Sequence, residues 1–220
     1  IQGKEFSYTM NDRLQCLLIL FFLTTFSLFV TPGYAIFTGD HQVYIPHIYQ
    51  ALTSTLYKND FSLQFKQDAF IYFDEFILFS LRNLPLDIYV LFFLLSFIFR
   101  FLAIYAIYSL ARYFTRNISF SLFAPLLFFF PQPVFGAAIG MFELALYPRF
   151  ASLTLSLLFL VLFFRGRTIF SALLLSFAIL SHPLSALPFF LFFVISGFVS
   201  LYRHSIPISS FLFSLIIPIF

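Results

Sequence analysis

The first residues that could do chemistry are Asp40 and His41, which lie in Gly39-Asp40-His41-Gln42 directly after a long apolar run. A carboxylate at the edge of a membrane can take a proton from a hydroxyl, because partial burial raises its pKa. We therefore treat Asp40 and His41 as candidate catalytic residues. A second reading is open, in which Asp40 only caps a helix that begins near Val43.

Glu143 and Arg149 form a second candidate group, within a segment that also contains Tyr147. Arg149 stands at the mouth of an apolar run, where its guanidinium could hold a phosphate or a carboxylate through two parallel hydrogen bonds. The alternative is an ion pair with Glu143, or an interfacial anchor without a ligand.

His182 is the third candidate, at a turn between two apolar runs. It could donate a hydrogen bond to a ligand, although a lone histidine in such a turn is more often a structural residue. The sequence contains no Gly-rich phosphate loop, no Cys/His metal spacing, no serine nucleophile elbow and no His-Glu-x-x-His. We therefore predict no cofactor; a divalent metal stays open as an alternative, although nothing in these residues supports one.

The composition defines the environment of these candidates. Of 220 residues, 61% are hydrophobic and only 10% are charged, whereas a soluble domain carries about 25% charged residues. The chain also contains 39 phenylalanines and has a mean hydropathy of +0.99. Such a chain cannot cover its apolar surface with polar groups, so we expect lipid around most of it. Disorder, a coiled coil, a disulfide scaffold and nucleic-acid binding are all disfavoured.

Seven apolar stretches approach the roughly 20 residues that cross a bilayer. They predict an all-α fold, a polytopic transmembrane helix bundle with spans at about 15–37, 88–110, 118–138, 150–164, 168–181, 184–202 and 206–220. The third stretch contains Pro125, Pro131 and Pro133, so its second half could be a broken or re-entrant helix. The chain begins at Ile1 and ends on apolar residues, which indicates a single transmembrane domain from the N-terminal part of a longer protein.

The basic residues predict the orientation of this bundle, because cytoplasmic loops are enriched in Lys and Arg. A cytoplasmic N-terminus places every tight basic turn on the same side, namely Lys4, Arg13, Arg112, Arg116, Arg165, Arg167 and Arg203. Three connections then lie outside: 38–87, 139–149 and 181–183. All five candidate residues are in these connections, so we expect one extracytoplasmic site made of Asp40, His41, Glu143, Arg149 and His182.

The outer loop 38–87 carries three basic and six acidic residues. Ile48, Leu52 and Leu56 recur at helical spacing, and Phe73 and Ile77 recur in the stretch before the second span. These patterns predict two short amphipathic helices in the interface plane, with aromatic faces toward lipid.

Arg100 lies about 15 Å of helix from either end of its predicted span, too far for its charge to reach the membrane surface. It needs a partner inside the protein, which could be a carbonyl, Tyr105 or a residue beyond this sequence. An intramembrane arginine of this kind is either functional or a structural clamp.

These features together resemble the GT-C superfamily of membrane glycosyltransferases, which use polyprenyl-phosphate sugars, and more closely its uncharacterised prokaryotic relatives. The similarity covers most of the chain and rests on short motifs: Gly39-Asp40-His41-Gln42 with Tyr44-Ile45-Pro46, Leu56-Tyr57-Lys58-Asn59-Asp60, Tyr147-Pro148-Arg149 and Ser181-His182-Pro183-Leu184. Many members carry a paired acidic motif in the first outer loop, whereas here Asp40 is followed by His41.

The resemblance implies an inverting sugar transfer from a polyprenyl-phosphate donor to an acceptor on the extracytoplasmic face. By position, Asp40 would be the catalytic base, and Arg149 with His182 would stabilise the departing lipid phosphate, beside Glu143. The expected partners are the lipid bilayer and the lipid-linked sugar, with no nucleic acid. The expected location is a prokaryotic cytoplasmic membrane.

Two other classes compete with this reading. A secondary transporter would explain broken helices and an arginine within a span, but we find no internal repeat and no acidic residue in the spans to carry a coupling ion. A non-catalytic membrane subunit would explain the single carboxylate at Asp40.

Overall fold

The computed structural model describes residues 10–30, 33–53, 55–57, 72–129 and 143–202. Within these ranges 81% of the residues are helical and none is in a strand, which confirms the all-helical class. The helices are α1 Met10–Phe29, α2 His41–Leu52, α3 Phe73–Asn83, α4 Ile88–Thr115, α5 Ile118–Phe123, α6 Pro148–Phe164, α7 Thr168–Ser181 and α8 Pro183–Tyr202.

Local sequence accounts for several helix ends. The side chain of Asp87 accepts a hydrogen bond from the Tyr89 amide at the start of α4, and Asn117 caps α5 in the same way. Helices α6 and α8 begin with proline, whose missing N–H is unneeded in the first turn. At Pro125 the α-geometry of α5 gives way to a 3₁₀ turn, Ala124–Phe128. Pro131 and Pro133 lie outside the described residues.

The predicted ranges differ from the observed helices mainly at their ends. Helix α1 stops at Phe29, although the apolar run continues to residue 37. Helix α4 continues beyond the predicted 110 to Thr115, whereas α7 has the predicted bounds. The predicted stretch 206–220 lies outside the described residues.

Two hydrophobic clusters hold the helices together. The larger one joins α1, α2, α3, α4 and α6, and it includes Leu20, Ile45, Ile77, Phe92 and Ala151. The smaller one joins α6, α7 and α8 through Phe159, Ala172, Leu175 and Phe193. Helix α6 belongs to both clusters, so it connects the first half of the described chain to the second.

Helix α3 faces the protein more than we predicted. Phe73 and Ile77, which the sequence pattern assigned to a lipid-facing surface, are buried in the larger cluster. The exposed aromatic residues of α3 are Phe76 and Phe79 instead. Phe73 and Ile77 therefore form the core face of α3, because a short helix gains most of its stability by packing an apolar face against the protein.

The packed helices of the described chain have two ends that carry chemically different residues. Tyr113 at the end of α4 stacks on Phe164 at the end of α6, and Phe92 and Tyr147 near the starts of these helices both contact His41, so the two helices run parallel. Arg112, Arg116, Arg165 and Arg167 consequently lie at one end, which we call the basic end. At the other end, Ser152 near the start of α6 donates to the His182 carbonyl after α7. We call this the site end, because it carries Asp40, Glu143, Arg149 and His182.

The outer surfaces of the helices are strongly apolar. Along α7, exposed apolar side chains recur at helical spacing, at Phe170, Leu173, Phe177 and Leu180. The same holds along α8, at Leu184, Leu187, Leu191, Ile195 and Phe198. Among the described helices, Ile88–Thr115 alone has both the length and the apolarity to cross a membrane by itself.

Candidate functional site

The site end is built around Arg149, which bridges two carboxylates. Its Nη1 donates to Asp40 Oδ2 at 2.6 Å, and its Nε donates to Glu143 Oε1 at 2.7 Å. The side chain of Glu143 is only 8% exposed, whereas that of Asp40 is 45% exposed. The two acids therefore differ in kind: Glu143 is an internal partner of Arg149, and Asp40 is a partner that solvent reaches.

Asp40 does not cap helix α2 through its side chain. It occupies the N-cap position with φ −64° and ψ −17°, and its carboxylate makes no capping hydrogen bond. The Asp40 carbonyl begins the helix by accepting from Val43 and Tyr44. The carboxylate is thus available to Arg149, and the simple capping interpretation does not describe this side chain.

Tyr147 contacts both Arg149 and the segment that leads to Asp40. The Arg149 guanidinium carbon lies 4.7 Å from the centre of the Tyr147 ring, which is cation–π contact. The Tyr147 hydroxyl donates to the Thr38 carbonyl at 2.7 Å. Gly39 leaves room for this bond, since a Cβ on Gly39 would lie 2.7 Å from the hydroxyl, and its φ of +50° favours glycine. Tyr147 therefore holds both Arg149 and the chain that carries Asp40.

His41 does not reach solvent, although the sequence offered it as a catalytic residue. Its side chain is fully buried, between the edges of Phe92 and Tyr147. Nε2 lies 2.7 Å from the Leu146 carbonyl, which fixes the proton on Nε2 as the donor. The ring is therefore not exposed in this structure, and its Nε2 holds the backbone of the segment before Arg149.

His182 is the residue between α7 and α8, and it shapes the start of α8. Its Nδ1 accepts from the Ser185 amide at 3.2 Å and lies 2.9 Å from the Ser185 hydroxyl. The neutral ring then carries its proton on Nε2. Burial lowers the pKa of His182, the Arg149 charge lowers it further, and Asp40 opposes both. His182 is therefore a neutral donor within electrostatic range of the Arg149 cluster.

Burial also changes the acid–base behaviour of Glu143. Loss of solvent raises its pKa, and the hydrogen bond and charge of Arg149 lower it only in part. Its Oε2 is buried and has no hydrogen-bond partner among the described residues. A buried carboxylate with one unpaired oxygen depends strongly on its single cation.

Arg100 is a structural clamp that the sequence could not assign. It is 1% exposed, and its guanidinium donates to the Ser27 carbonyl at 2.7 Å, the Gly33 carbonyl at 2.7 Å and the Glu143 carbonyl at 2.5 Å. Ser27 lies in the last turn of α1, where carbonyls lack helical partners and a cation is favourable. Arg100 thereby ties the end of α1 to the backbone of Glu143 in the site.

The structure brings together predicted residues from the three connections 38–87, 139–149 and 181–183. Arg149 contacts Asp40 and Glu143 directly, His182 lies within electrostatic range, and the His41 ring packs against Tyr147. Among the described residues, no group of three or more His, Cys, Asp or Glu side chains could hold a metal ion. No family model, curated protein or solved structure matches this chain.

Proposed function

We propose that the described helices form a polytopic bundle in a prokaryotic cytoplasmic membrane, with the basic end inside and the site end outside. The exposed apolar faces of α7 and α8 support this, since a soluble protein rarely exposes patches of such extent. The separation of Arg112, Arg116, Arg165 and Arg167 from the site end supports the orientation. Helices shorter than a bilayer can be accommodated by local thinning of the membrane.

Within this bundle we propose an inverting glycosyltransferase that uses a polyprenyl-phosphate sugar. One observation carries the proposal: the exposed carboxylate of Asp40 and the cation of Arg149 meet at the end of an otherwise apolar chain. A transferase of this kind needs a base and a phosphate-binding cation in one water-accessible place, facing lipid.

The residues can be given roles that balance the reaction. The acceptor hydroxyl loses its proton to the Asp40 carboxylate while its oxygen attacks the anomeric carbon. The bond between that carbon and the phosphate oxygen breaks, and the electron pair leaves with the lipid phosphate. Arg149 and the Nε2 proton of His182 stabilise the negative charge on the phosphate. Glu143 and His41 hold Arg149 and the preceding segment in position.

Replacement of Asp40 by Asn in the full-length protein tests this function. We expect sugar transfer from a polyprenyl-phosphate donor to fall by about a hundredfold or more, the usual contribution of a general base. The matched control is Glu75→Gln, which removes an exposed carboxylate of α3 outside the Arg149 cluster. Native turnover by Asp40→Asn would exclude Asp40 as the base, and absence of transfer by the native protein with a panel of donors would exclude the function.

A non-catalytic membrane subunit is the second candidate, and a specific observation favours it. Arg149 already has two carboxylate partners, which is the arrangement of a structural ion cluster. In that case the native protein would transfer no sugar, and Asp40→Asn would show only a small loss of thermal stability in detergent. The transferase hypothesis predicts transfer by the native protein and its loss in Asp40→Asn, with the same small change in stability, because a part-exposed ion pair contributes only about 1 kcal/mol or less.

A further inference from the structure

The two partners of Arg149 differ in exposure and in how firmly they are held. The Glu143 side chain is 8% exposed, and the Glu143 carbonyl is bound by the buried Arg100. The Asp40 side chain is 45% exposed, and Arg149 is its only hydrogen-bond partner among the described residues. Because Asp40 starts α2 through its backbone carbonyl, rotation of its side chain would break the ion pair without moving the helix.

The geometry of the guanidinium also distinguishes the two partners. Glu143 accepts a hydrogen bond from Nε, on the side of the guanidinium, and Asp40 accepts one from Nη1, at its end. The hydrogen bonds of the guanidinium to the described residues use Nε and Nη1, and they leave Nη2 unused. Nη1 and Nη2 together form a two-pronged donor that matches two oxygens of a phosphate. Asp40 uses only one prong, so a phosphate would gain a hydrogen bond by replacing it.

We infer that Asp40 is the resident counter-anion of a phosphate site at Arg149, and that a phosphate-bearing ligand displaces it. Displacement has two results: the phosphate accepts hydrogen bonds from Nη1 and Nη2 of Arg149, and the Asp40 carboxylate is released beside the new ligand. This deepens the proposed transferase, because the base would become free only when the phosphate-linked donor is bound. The binding step itself does not require that sugar transfer occurs.

Phosphate affinity tests the exchange directly. Calorimetric titration of the detergent-solubilised full-length protein with sodium phosphate, against sodium chloride at equal ionic strength, measures it. We expect Asp40→Asn to bind phosphate roughly fivefold more tightly than the native protein, since the competing ion pair is removed. We expect Arg149→Lys to bind more weakly, because lysine lacks the two-pronged donor. Glu75→Gln should retain native affinity.

A second probe separates the two sources of phosphate. Phosphatidylcholine nanodiscs with and without a polyprenyl phosphate replace the soluble anion, and retention of the lipid is followed by native mass spectrometry. Tighter binding by Asp40→Asn with either probe supports the exchange, and the probe that binds more tightly identifies the source.

Unchanged or weaker binding by Asp40→Asn would overturn the inference, as would equal tightening by Glu75→Gln, which would indicate a general charge effect. Melting temperatures verify that each variant is folded. The test of the exchange is independent of the proposed function. Tighter phosphate binding by Asp40→Asn without any sugar transfer by the native protein would support the phosphate site and contradict the glycosyltransferase function. Sugar transfer by the native protein without tighter binding by Asp40→Asn would support the function and contradict the exchange.

Discussion

At the scale of single residues, two buried side chains hold the backbone around the site. Arg100 binds the carbonyls of Ser27, Gly33 and Glu143, and His41 binds the carbonyl of Leu146. Buried carbonyls without partners are unfavourable, so these donors stabilise the end of α1 and the non-helical segments around Gly33, Glu143 and Leu146. Arg100 and His41 thus hold the backbone next to the part-exposed pair of Asp40 and Arg149.

The buried ring of His41 predicts sensitivity to acid. Burial lowers its pKa below the usual 6.5, although the Leu146 carbonyl and Asp40 oppose the shift. The folded protein therefore favours the neutral ring, and the unfolded chain binds the proton more readily. The contribution of His41 to the free energy of unfolding is therefore full above about pH 6.5. It falls as the pH decreases from there, by at most about 1.4 kcal/mol per pH unit for one proton. Melting temperatures in detergent between neutral pH and pH 5 measure this loss.

The variant His41→Gln isolates the contribution of this ring. Glutamine can keep an N–H donor toward the Leu146 carbonyl but does not titrate, so its melting temperature should depend less on pH than that of the native protein. His182, whose pKa burial also lowers, contributes equally to both proteins and cancels in the difference. Identical pH profiles for the two proteins would show that His41 has no part in the acid sensitivity.

The sequence could predict which residues meet at the site, but not all of their roles. Asp40, Glu143 and Arg149 were placed together by the alternation of basic turns, which acts over the whole chain. The partners of Arg100 were not predictable, because a backbone carbonyl leaves no signature in the sequence. The burial of His41 was also missed, since it depends on Phe92 and Tyr147, which are distant in the chain.

At the scale of elements, the starts of α2 and α6 are locked together. The Tyr147 hydroxyl binds the Thr38 carbonyl, the Tyr147 ring contacts His41, and Arg149 binds Asp40. These contacts join residues just before and inside the first turn of each helix. The relative position of α2 and α6 thus sets the distance between Asp40, the proposed base, and Arg149, the proposed phosphate-binding cation.

Gly39→Ala tests this lock. A φ of +50° disfavours alanine, and its Cβ would lie 2.7 Å from the Tyr147 hydroxyl, so we expect a loss of about 1–3 kcal/mol. Removing the hydroxyl by Tyr147→Phe should cost about 1 kcal/mol alone. In the double variant the clash is absent, so the combined loss should be smaller than the sum of the single losses. Unfolding of the four proteins in detergent gives the comparison, and strict additivity would show that Gly39 and Tyr147 do not interact.

Helix positions were largely predictable, because apolar runs and prolines define them. Pro148 and Pro183 begin α6 and α8, and Pro125 marks the break after α5. The end of α1 was not predictable from apolarity, which continues to residue 37. The face that α3 buries was also not predictable, because its apolar residues could face lipid or protein equally well until the position of α2 and α4 is known.

At the scale of the whole molecule, charge separates along the helices. The basic end carries Arg112, Arg116, Arg165 and Arg167, and the site end carries Arg149 with its partners Asp40 and Glu143, together with Glu75 and Asp87 outside this cluster. Between the ends, the exposed surface of α7 and α8 is apolar. Such a distribution is expected of a bundle whose two ends face different aqueous compartments across lipid.

Labelling of introduced cysteines tests this arrangement. The buried Cys16, the single cysteine of the sequence, is first replaced by Ala to remove background. The start of α3 lies at the site end, because the Tyr72 amide donates to the Leu180 carbonyl near the end of α7 at 2.9 Å. Glu75→Cys therefore places a thiol at the site end, and Arg165→Cys places one at the basic end, both at exposed positions. In spheroplasts, a membrane-impermeant maleimide should label position 75 at once and position 165 only after permeabilisation. Labelling of both positions before permeabilisation would show that the bundle does not cross the membrane. Labelling of position 165 alone would place Asp40 and Arg149 in the cytoplasm, where an extracytoplasmic transfer could not take place.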